Sequence, residues 1–338
     1  MTDAPILRGM QAPEIRPATP DDLGACATVW RLATNDYLAR LHQVGVPDDL
    51  SGITKLFQHT RATDPDRFLV ATRSDPMDPE PEPERERIVA FVSAVERGDL
   101  WFLSMLFVLP EEQGSGIGRS LLERVLPDPA RAMTLGTATD SAQPISNALY
   151  SRYGMAPRMP LLDLTGDLRR PERLASLPDG VTATTFEDVI AEGTVDGGGG
   201  PDGGGHRALA AIVNGLDRDT LGVEHPQDHA WLRTTERRGF LYRSGGGEVL
   251  GYGYGSPVGR IGPIAVMDAA LVAPILGHLL RTIPARGAFA VWTPGHAGDA
   301  VRMLLDAGLR LEPFPILLCW TDARTDWTRY LPISPGLP

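Results

Sequence analysis

The 338-residue chain has one lysine, Lys55. It has two cysteines, Cys26 and Cys319, far apart and neither in a Cys-x-x-Cys pair, which excludes a disulfide framework and a zinc signature. Positive charge is short: 32 Lys and Arg stand against 43 Asp and Glu, a formal net charge of −11. That argues against nucleic acid as the main partner, since phosphate binding rests on a positive surface, and leaves room for cationic substrates such as amines. Long apolar runs are missing too. The longest apolar helix candidate, residues 269–280, contains Pro274 and His278 and falls short of the roughly 20 residues of a membrane span. The N-terminal MTDAPILRGMQAPEIRP lacks a basic start followed by an apolar run, so no signal peptide is expected and a reducing cytoplasm is the simplest location. Hydrophobic content of 42% is ample for a packed core, and the length suits two domains.

The most informative stretch is residues 103–125, LSMLFVLPEEQGSGIGRSLLERV. Its first seven residues, 103–109, are apolar but for Ser104 and are bounded by Pro110, which reads as a buried strand. A turn through Pro110, Glu111 and Glu112 leads to Gln113-Gly114-Ser115-Gly116-Ile117-Gly118, and from about Ile117 the spacing of Leu121, Leu122 and Val125 predicts a helix. Strand, glycine-rich turn and helix make a phosphate cradle: glycines admit a close anion, and the unpaired N–H groups of the first helical turn point at it. A P-loop requires Lys after its last glycine, and here Arg119 follows. The dinucleotide pattern Gly-x-Gly-x-x-Gly would place its last glycine at Arg119 or Leu121, so it fails as well.

What remains is Val108-x-Pro110-x-x-Gln113-x-x-Gly116-x-Gly118. This resembles the GNAT superfamily of acetyltransferases, whose pyrophosphate loop reads Arg/Gln-x-x-Gly-x-Gly/Ala after a strand ending in Val-x-Pro. Residues 147–155, NALYSRYGM, resemble a second GNAT signature, with the asparagine-to-tyrosine spacing compressed.

Around these motifs the order is regular. Residues 14–18 read as a strand, followed by a helix capped at Thr19 with Pro20 at its first position. A second helix fits residues 49–61; by resemblance such helices lie over the acceptor cleft, which makes Tyr37, His42 and His59 candidates to face substrate, though packing alone explains each. Strands follow at 67–72, 87–95 and 101–109. Alternating proline and acid over residues 74–84 predicts a solvated loop. A strand at 132–137, a helix at 141–153 and a strand at 158–164 close the first half. Residues 169–180 are charged and proline-containing, as linkers are. From 181 the order repeats, interrupted by a glycine-rich run at 193–205 that reads as a mobile loop. The strand at 261–264 runs into Ala265-Val266-Met267-Asp268 with no glycine cradle. The expectation is an α/β (α+β) chain of two tandem GNAT-like domains, each a mixed, mostly antiparallel sheet flanked by helices: an acetyltransferase domain over 1–168, a linker over 169–180 and a degenerate GNAT-like domain over 181–338. The second domain is not expected to hold acetyl-CoA in the usual way, and completing the first domain's acceptor pocket is an alternative role for it.

The resemblance implies an acetyl-CoA-dependent N-acetyltransferase. Such a reaction must deprotonate an amine of pKa about 10.4, stabilise a growing charge on the carbonyl oxygen and protonate the leaving thiolate. The family pattern implies a backbone N–H near Phe107 as the oxygen's donor, main-chain pairing of the pantetheine arm with Leu106 and Val108, and N–H groups from Gln113, Gly114, Ser115, Gly116, Ile117, Gly118 and Arg119 on the pyrophosphate. Asn147 and Tyr150 fall in the second signature, Tyr150 as proton donor to sulfur. Family members often carry a glutamate on the cradle strand, but residues 101–106 hold no carboxylate, so Glu96, then Asp99, are the nearest bases by sequence, and a water chain would serve equally. The expected acceptor is a primary amine on a small molecule, with no nucleic acid, no membrane and no metal; a homodimer is compatible. Rival readings are a non-catalytic acyl-CoA sensor and a protein or peptide acetyltransferase. His225 and His229 stand four apart, a spacing that holds a metal on a helix, but no third ligand is evident in the sequence.

Overall fold

The structure is a computed structural model and describes residues 12–74, 86–195, 204–322 and 324–338. The acidic proline loop (from residue 75), the N-terminal segment (to residue 11) and most of the glycine run (196–203) lie outside the described residues. Contacts divide the chain into two compact units, Met1–Val95 with Leu103–Asp128, and Glu96–Phe102 with Pro129–Pro338.

The first unit carries β1 (Glu14–Pro17), β2 (Phe68–Arg73), most of β3 (Arg87–Arg97) and most of β4 (Leu100–Val108), in the order β1-β2-β3-β4. Its helices are α1 (Leu23–Arg40), α2 (Ser51–Thr63) and α3 (Ile117–Val125). Thr19 begins the first helical segment as expected: its backbone N–H and its hydroxyl both donate to the Asp22 carboxylate, at 2.7 and 2.9 Å. An aromatic cluster of Phe57, Phe68 and Phe91 fills the core between α2 and the sheet, with centroids 5.1–5.9 Å apart. α3 buries Ile117, Leu121, Leu122 and Val125. Each such side chain contributes roughly 1.5–3 kcal/mol relative to exposure, so this one stripe anchors the glycine turn that precedes it.

The second unit holds β5 (Thr134–Asp140), α4 (Pro144–Ser151), β6 (Ala156–Gly166), β7 (Thr182–Thr185), α5 (Phe186–Val195), α6 (Gly204–Thr220), α7 (Pro226–Thr234), β8 (Arg238–Arg243), β9 (Val249–Gly255), β10 (Arg260–Val266), α8 (Val272–Thr282), β11 (Phe289–Pro294), α9 (Gly298–Ala307), β12 (Arg310–Leu311), β13 (Ile316–Trp320) and β14 (Tyr330–Leu331). Its sheet runs β5-β13-β6-β11-β10-β9-β8-β7. The pairs are antiparallel except β10 with β11, which is parallel.

The boundary expected at residues 169–180 falls inside this unit. The reason is strand exchange. β13, late in the chain, lies between β5 and β6, pairing Leu318 with Ala138 on one side and with Met159 on the other. β6 in turn pairs its far half with β11, Leu164 opposite Val291. Strands from before and after residue 168 alternate in one ladder, so no cut there separates two cores. The stretch read as a linker is itself held. Arg169 and Arg170 N–H groups donate to the Ala307 carbonyl, Leu174 is buried, and Arg281 donates to the Leu174 and Ala175 carbonyls.

Candidate active site

In the first unit the cradle residues lie on the end of β4, the turn after it and the start of α3. β4 leaves Leu106, Phe107 and Val108 half-buried, and Phe107 stacks on Phe91 at 5.8 Å. The turn is braced from below. Glu112 is buried and paired with Arg73, accepting at 2.8 and 3.0 Å, while its carbonyl accepts from the Ser115 hydroxyl at 2.6 Å. Gln113 Nε2 donates to the Val108 carbonyl at 3.1 Å, tying turn to strand. Glu111 pairs with Arg87. Both acids flanking the turn are thereby matched with guanidinium groups, which removes a repulsion that an anion would otherwise meet.

Gly114 and Gly116 sit at φ +80° and +89°, the left-handed region that disfavours any side chain, and Gly116 is the N-cap of α3. A Cβ built on either meets no atom within 4 Å, so the loop opens onto free space. Gly118 is different: a Cβ there would press on Val108 Cγ2 at 3.4 Å. The N–H groups of Ile117, Gly118 and Arg119 belong to the first helical turn and have no partner within the helix. With the helix dipole behind them, N–H groups so placed favour an anion over a cation. The Arg119 side chain is exposed, 3.6 Å from Glu123. Of the candidates for facing substrate, His42 is exposed after α1, Tyr37 is half-buried on α1, and His59 is buried on α2.

The other sequence candidates lie in the second unit. Asn147 and Tyr150 are one turn apart on α4. Asn147 Nδ2 donates to the carbonyls of Asp140 and Gln143 at 3.0 and 2.8 Å, while its buried Oδ1 has no hydrogen-bond partner among the described residues. Tyr150 is buried and hydrogen-bonds Ser146; burial pushes its pKa up, which keeps the phenol protonated. The two candidate bases are already engaged. Both Glu96 oxygens accept from Arg131, at 2.6 and 2.9 Å. Asp99 pairs with Arg324 at 2.6 Å, a hydrogen bond that holds its pKa below the ordinary value. Neither arginine was legible as a partner, since each lies tens of residues or more along the chain.

Two features of this unit were not foreseen. β10, fourth strand of the second half, pairs with β11 only at Arg260 and Ile261; from Ile264 it pairs instead with β14, Leu331 opposite Ile264 and Tyr330 opposite Ala265. A strand of the chain itself thus lies on β10 at the place where an added strand would pair. The second feature is a buried polar cluster: Asp217 on α6, His225 at the N-cap of α7 and His229 on α7. Asp217 Oδ2 lies 2.6 Å from His229 Nε2 and 3.2 Å from His225 Nε2. Burial opposes charge on every member. At His225, Asp217 and Asp228 outweigh it and raise the pKa to about 10; at His229, burial and the neighbouring His225 lower it. The third acid-base group that the sequence left open for this histidine pair is therefore Asp217. Its signal was an acid on the apolar stripe of α6 that carries Leu209, Val213 and Leu216.

The family model described as an acetyltransferase (GNAT) domain matches residues 64–154. Among solved structures, the chain is similar over 100% of both lengths to a candidate acetyltransferase from Pyrococcus horikoshii, with a TM-score of 0.67 and 15% identity. It is similar to a GCN5-related N-acetyltransferase from Sphaerobacter thermophilus at TM-score 0.56 and 16% identity, over 94% of this chain and 98% of that one. A tandem GNAT protein from the clavulanic acid biosynthesis pathway gives 0.52 and 17%, over 91% and 97%. At these identities the likeness is one of fold, and it bears out the mixed, mostly antiparallel architecture. No curated protein matches the chain. Among the described residues no helix is long and apolar enough to cross a membrane.

Proposed function

We propose, from the premise that residues 64–154 are a GNAT acetyltransferase domain and the chain an acyltransferase, that it transfers an acetyl group from acetyl-CoA to a primary amine of a small molecule. The observation that carries this reading is the pair Gly114 and Gly116, both left-handed and open where a side chain would stand, at the N-terminus of α3. A Cβ at either would occupy the space that a pyrophosphate needs.

Acetyl-CoA supplies an activated acyl group as a thioester. The N–H groups from Gln113 to Arg119 bind its pyrophosphate, and the main chain of Leu106 and Val108 orients the pantetheine arm. The backbone N–H near Phe107 donates to the carbonyl oxygen as negative charge gathers on it. The amine nitrogen forms the new C–N bond, the C–S bond breaks, and the departing thiolate takes a proton from the Tyr150 phenol. The amine's own proton leaves to water, since Glu96 and Asp99 are both held by arginine.

The test is thermal unfolding with and without acetyl-CoA, on wild type and on Gly116→Trp, followed by thiol release across an amine panel. A ligand that binds only the folded state raises the midpoint. The reading expects a rise in wild type that Gly116→Trp abolishes; no rise at about millimolar acetyl-CoA, where even a weak site would respond, overturns it. A second reading is a non-catalytic acyl-CoA sensor, favoured by the engagement of both candidate bases. A midpoint rise with no thiol released by any amine or peptide selects the sensor, and release by peptides alone selects a peptide acetyltransferase.

A further inference from the structure

The buried cluster on α6 and α7 has the anatomy of a metal centre. Asp217 Oδ2, His225 Nε2 and His229 Nε2 converge, the ligand atoms all lying within 4.8 Å of one another. The other ring nitrogen of each histidine faces an outer partner. His229 Nδ1 lies 3.0 Å from the Tyr254 hydroxyl, and His225 Nδ1 lies 3.5 Å from Asp228 Oδ2. Asp228 is itself clamped by the buried Arg97, whose Nε and Nη2 donate at 2.7 and 2.8 Å. The Tyr252 hydroxyl donates to the second oxygen of Asp217. An inner set of two imidazoles and a carboxylate, oriented by carboxylate and phenol partners behind them, is the pattern by which proteins hold a metal rather than a lone ion pair.

Asp217 and Asp228 carry two negative charges and Arg97 one positive, so the buried group takes one further cation, which is either a proton on a histidine or a metal ion in its place. Uncompensated charge in a core is costly, so a cation belongs here. The spacing suits one. Around a tetrahedral zinc with bonds of about 2.0–2.1 Å, neighbouring ligand atoms stand about 3.3 Å apart. His225 and Asp217 are already at 3.2 Å; His229 and Asp217, at 2.6 Å, would open by about 0.7 Å as their hydrogen bond gave way. The phenols of Tyr252, on Asp217, and Tyr330, 3.4 Å from His225 Nε2, stand nearest as a further oxygen ligand. His229 and Tyr254 also line a small pocket of about 20 Å³ with Asn214 and Arg233.

We propose that Asp217, His225 and His229 bind a divalent cation of the zinc class, and that this ion pins α6 to α7. The ligands are buried, so the role is structural and independent of acetyl transfer.

The experiment uses the full-length chain, stripped with a chelator and titrated with zinc chloride against a chromophoric competitor at pH 8, followed by zinc-edge X-ray absorption. The expected result is one equivalent bound, with a shell of nitrogen and oxygen only at about 2.0–2.1 Å and two imidazoles. His229→Gln should weaken binding at least about 100-fold, and Asp228→Asn, which removes only an outer partner, about 10- to 100-fold. Three results overturn the proposal: no competition by the wild type, a sulfur at about 2.3 Å from Cys26 or Cys319, or unchanged stoichiometric binding in a folded His229→Gln. If His229→Gln does not fold, the wild-type titration and its absorption shell decide alone. A wild type that rejects zinc leaves a proton as the cluster's cation.

Discussion

The pair Arg97 and Asp228 permits a quantitative test of how the second unit is held. Each side chain is 1% exposed, and two charge-assisted hydrogen bonds join them. Arg97 Nη1 also donates to the Glu96 carbonyl at 2.8 Å. Arg97→Met removes the guanidinium that clamps Asp228 in the core, and Asp228→Leu removes the carboxylate that clamps Arg97. Removing one partner of a buried pair costs about 3–5 kcal/mol. Replacing both with apolar groups removes both charges together, and the donor lost to the Glu96 carbonyl adds about 1–3 kcal/mol. The singles sum to roughly 6–10 kcal/mol and the double should cost far less, so the cycle should return a coupling of at least about 3 kcal/mol. The assay is urea unfolding in a chelator, followed by tryptophan fluorescence. Of the six tryptophans, Trp101, Trp231, Trp292, Trp320 and Trp327 lie in the second unit, and only Trp30 lies in the first, so the signal reports the unit in question. Singles that each cost under about 1 kcal/mol, or a double as costly as the sum, would refute the reasoning.

Three further outcomes are expected. Burial raises the Asp163 pKa to about 6, against a slight pull from Arg260, and its Oδ1 has no hydrogen-bond partner among the described residues. The folded state therefore keeps a proton that the unfolded chain releases near pH 4: the contribution is whole below that pH, is lost as pH rises to about 6, and is a constant penalty above. Asp163→Asn should gain about 1–2 kcal/mol at pH 8, after allowance for partial exposure, and flatten the stability profile between pH 4 and 6; an unchanged profile by urea titration sinks this. Tyr150→Phe should lower turnover about 10²- to 10⁴-fold while the acetyl-CoA-induced rise in unfolding midpoint persists, because the phenol acts on the leaving sulfur rather than on binding. Full turnover in that variant, measured by thiol release, would move the proton donor elsewhere. Gly118→Ala should cost little in fold, since its new Cβ meets only the Val108 methyl at 3.4 Å, whereas Gly116→Ala must hold φ +89° and should lose about 1–2 kcal/mol of stability by calorimetry; equal costs would show that the turn is not strained there.

What the sequence discloses depends on whether a residue acts through its neighbours along the chain. The cradle does. Gly114 and Gly116 are needed by the local backbone, Pro110 ends the strand, and the stripe from Ile117 to Val125 starts the helix, so the order of residues contains the geometry. Partners reached through space are hidden. Glu96 looked free because Arg131 lies 35 residues on, and Asp217 was missed because its histidines lie across the turn between α6 and α7. The contact division of the chain departs from the expected boundary for the same reason. Charge and proline at residues 169–180 resemble a linker, yet the placing of β13 between β5 and β6 is a property of strand order, which leaves no periodic mark. The last such case bears on function. Tyr330 and Leu331 form a two-residue strand, too short for any pattern, but they pair with β10 where it parts from β11. The absent glycine turn after β10 and the pairing of β14 upon it are independent differences between β10 and the cradle strand of the first unit. Restoring glycines after Val266 would therefore not by itself create an acetyl-CoA site, because the main chain of β10 would still be paired with the protein's own strand.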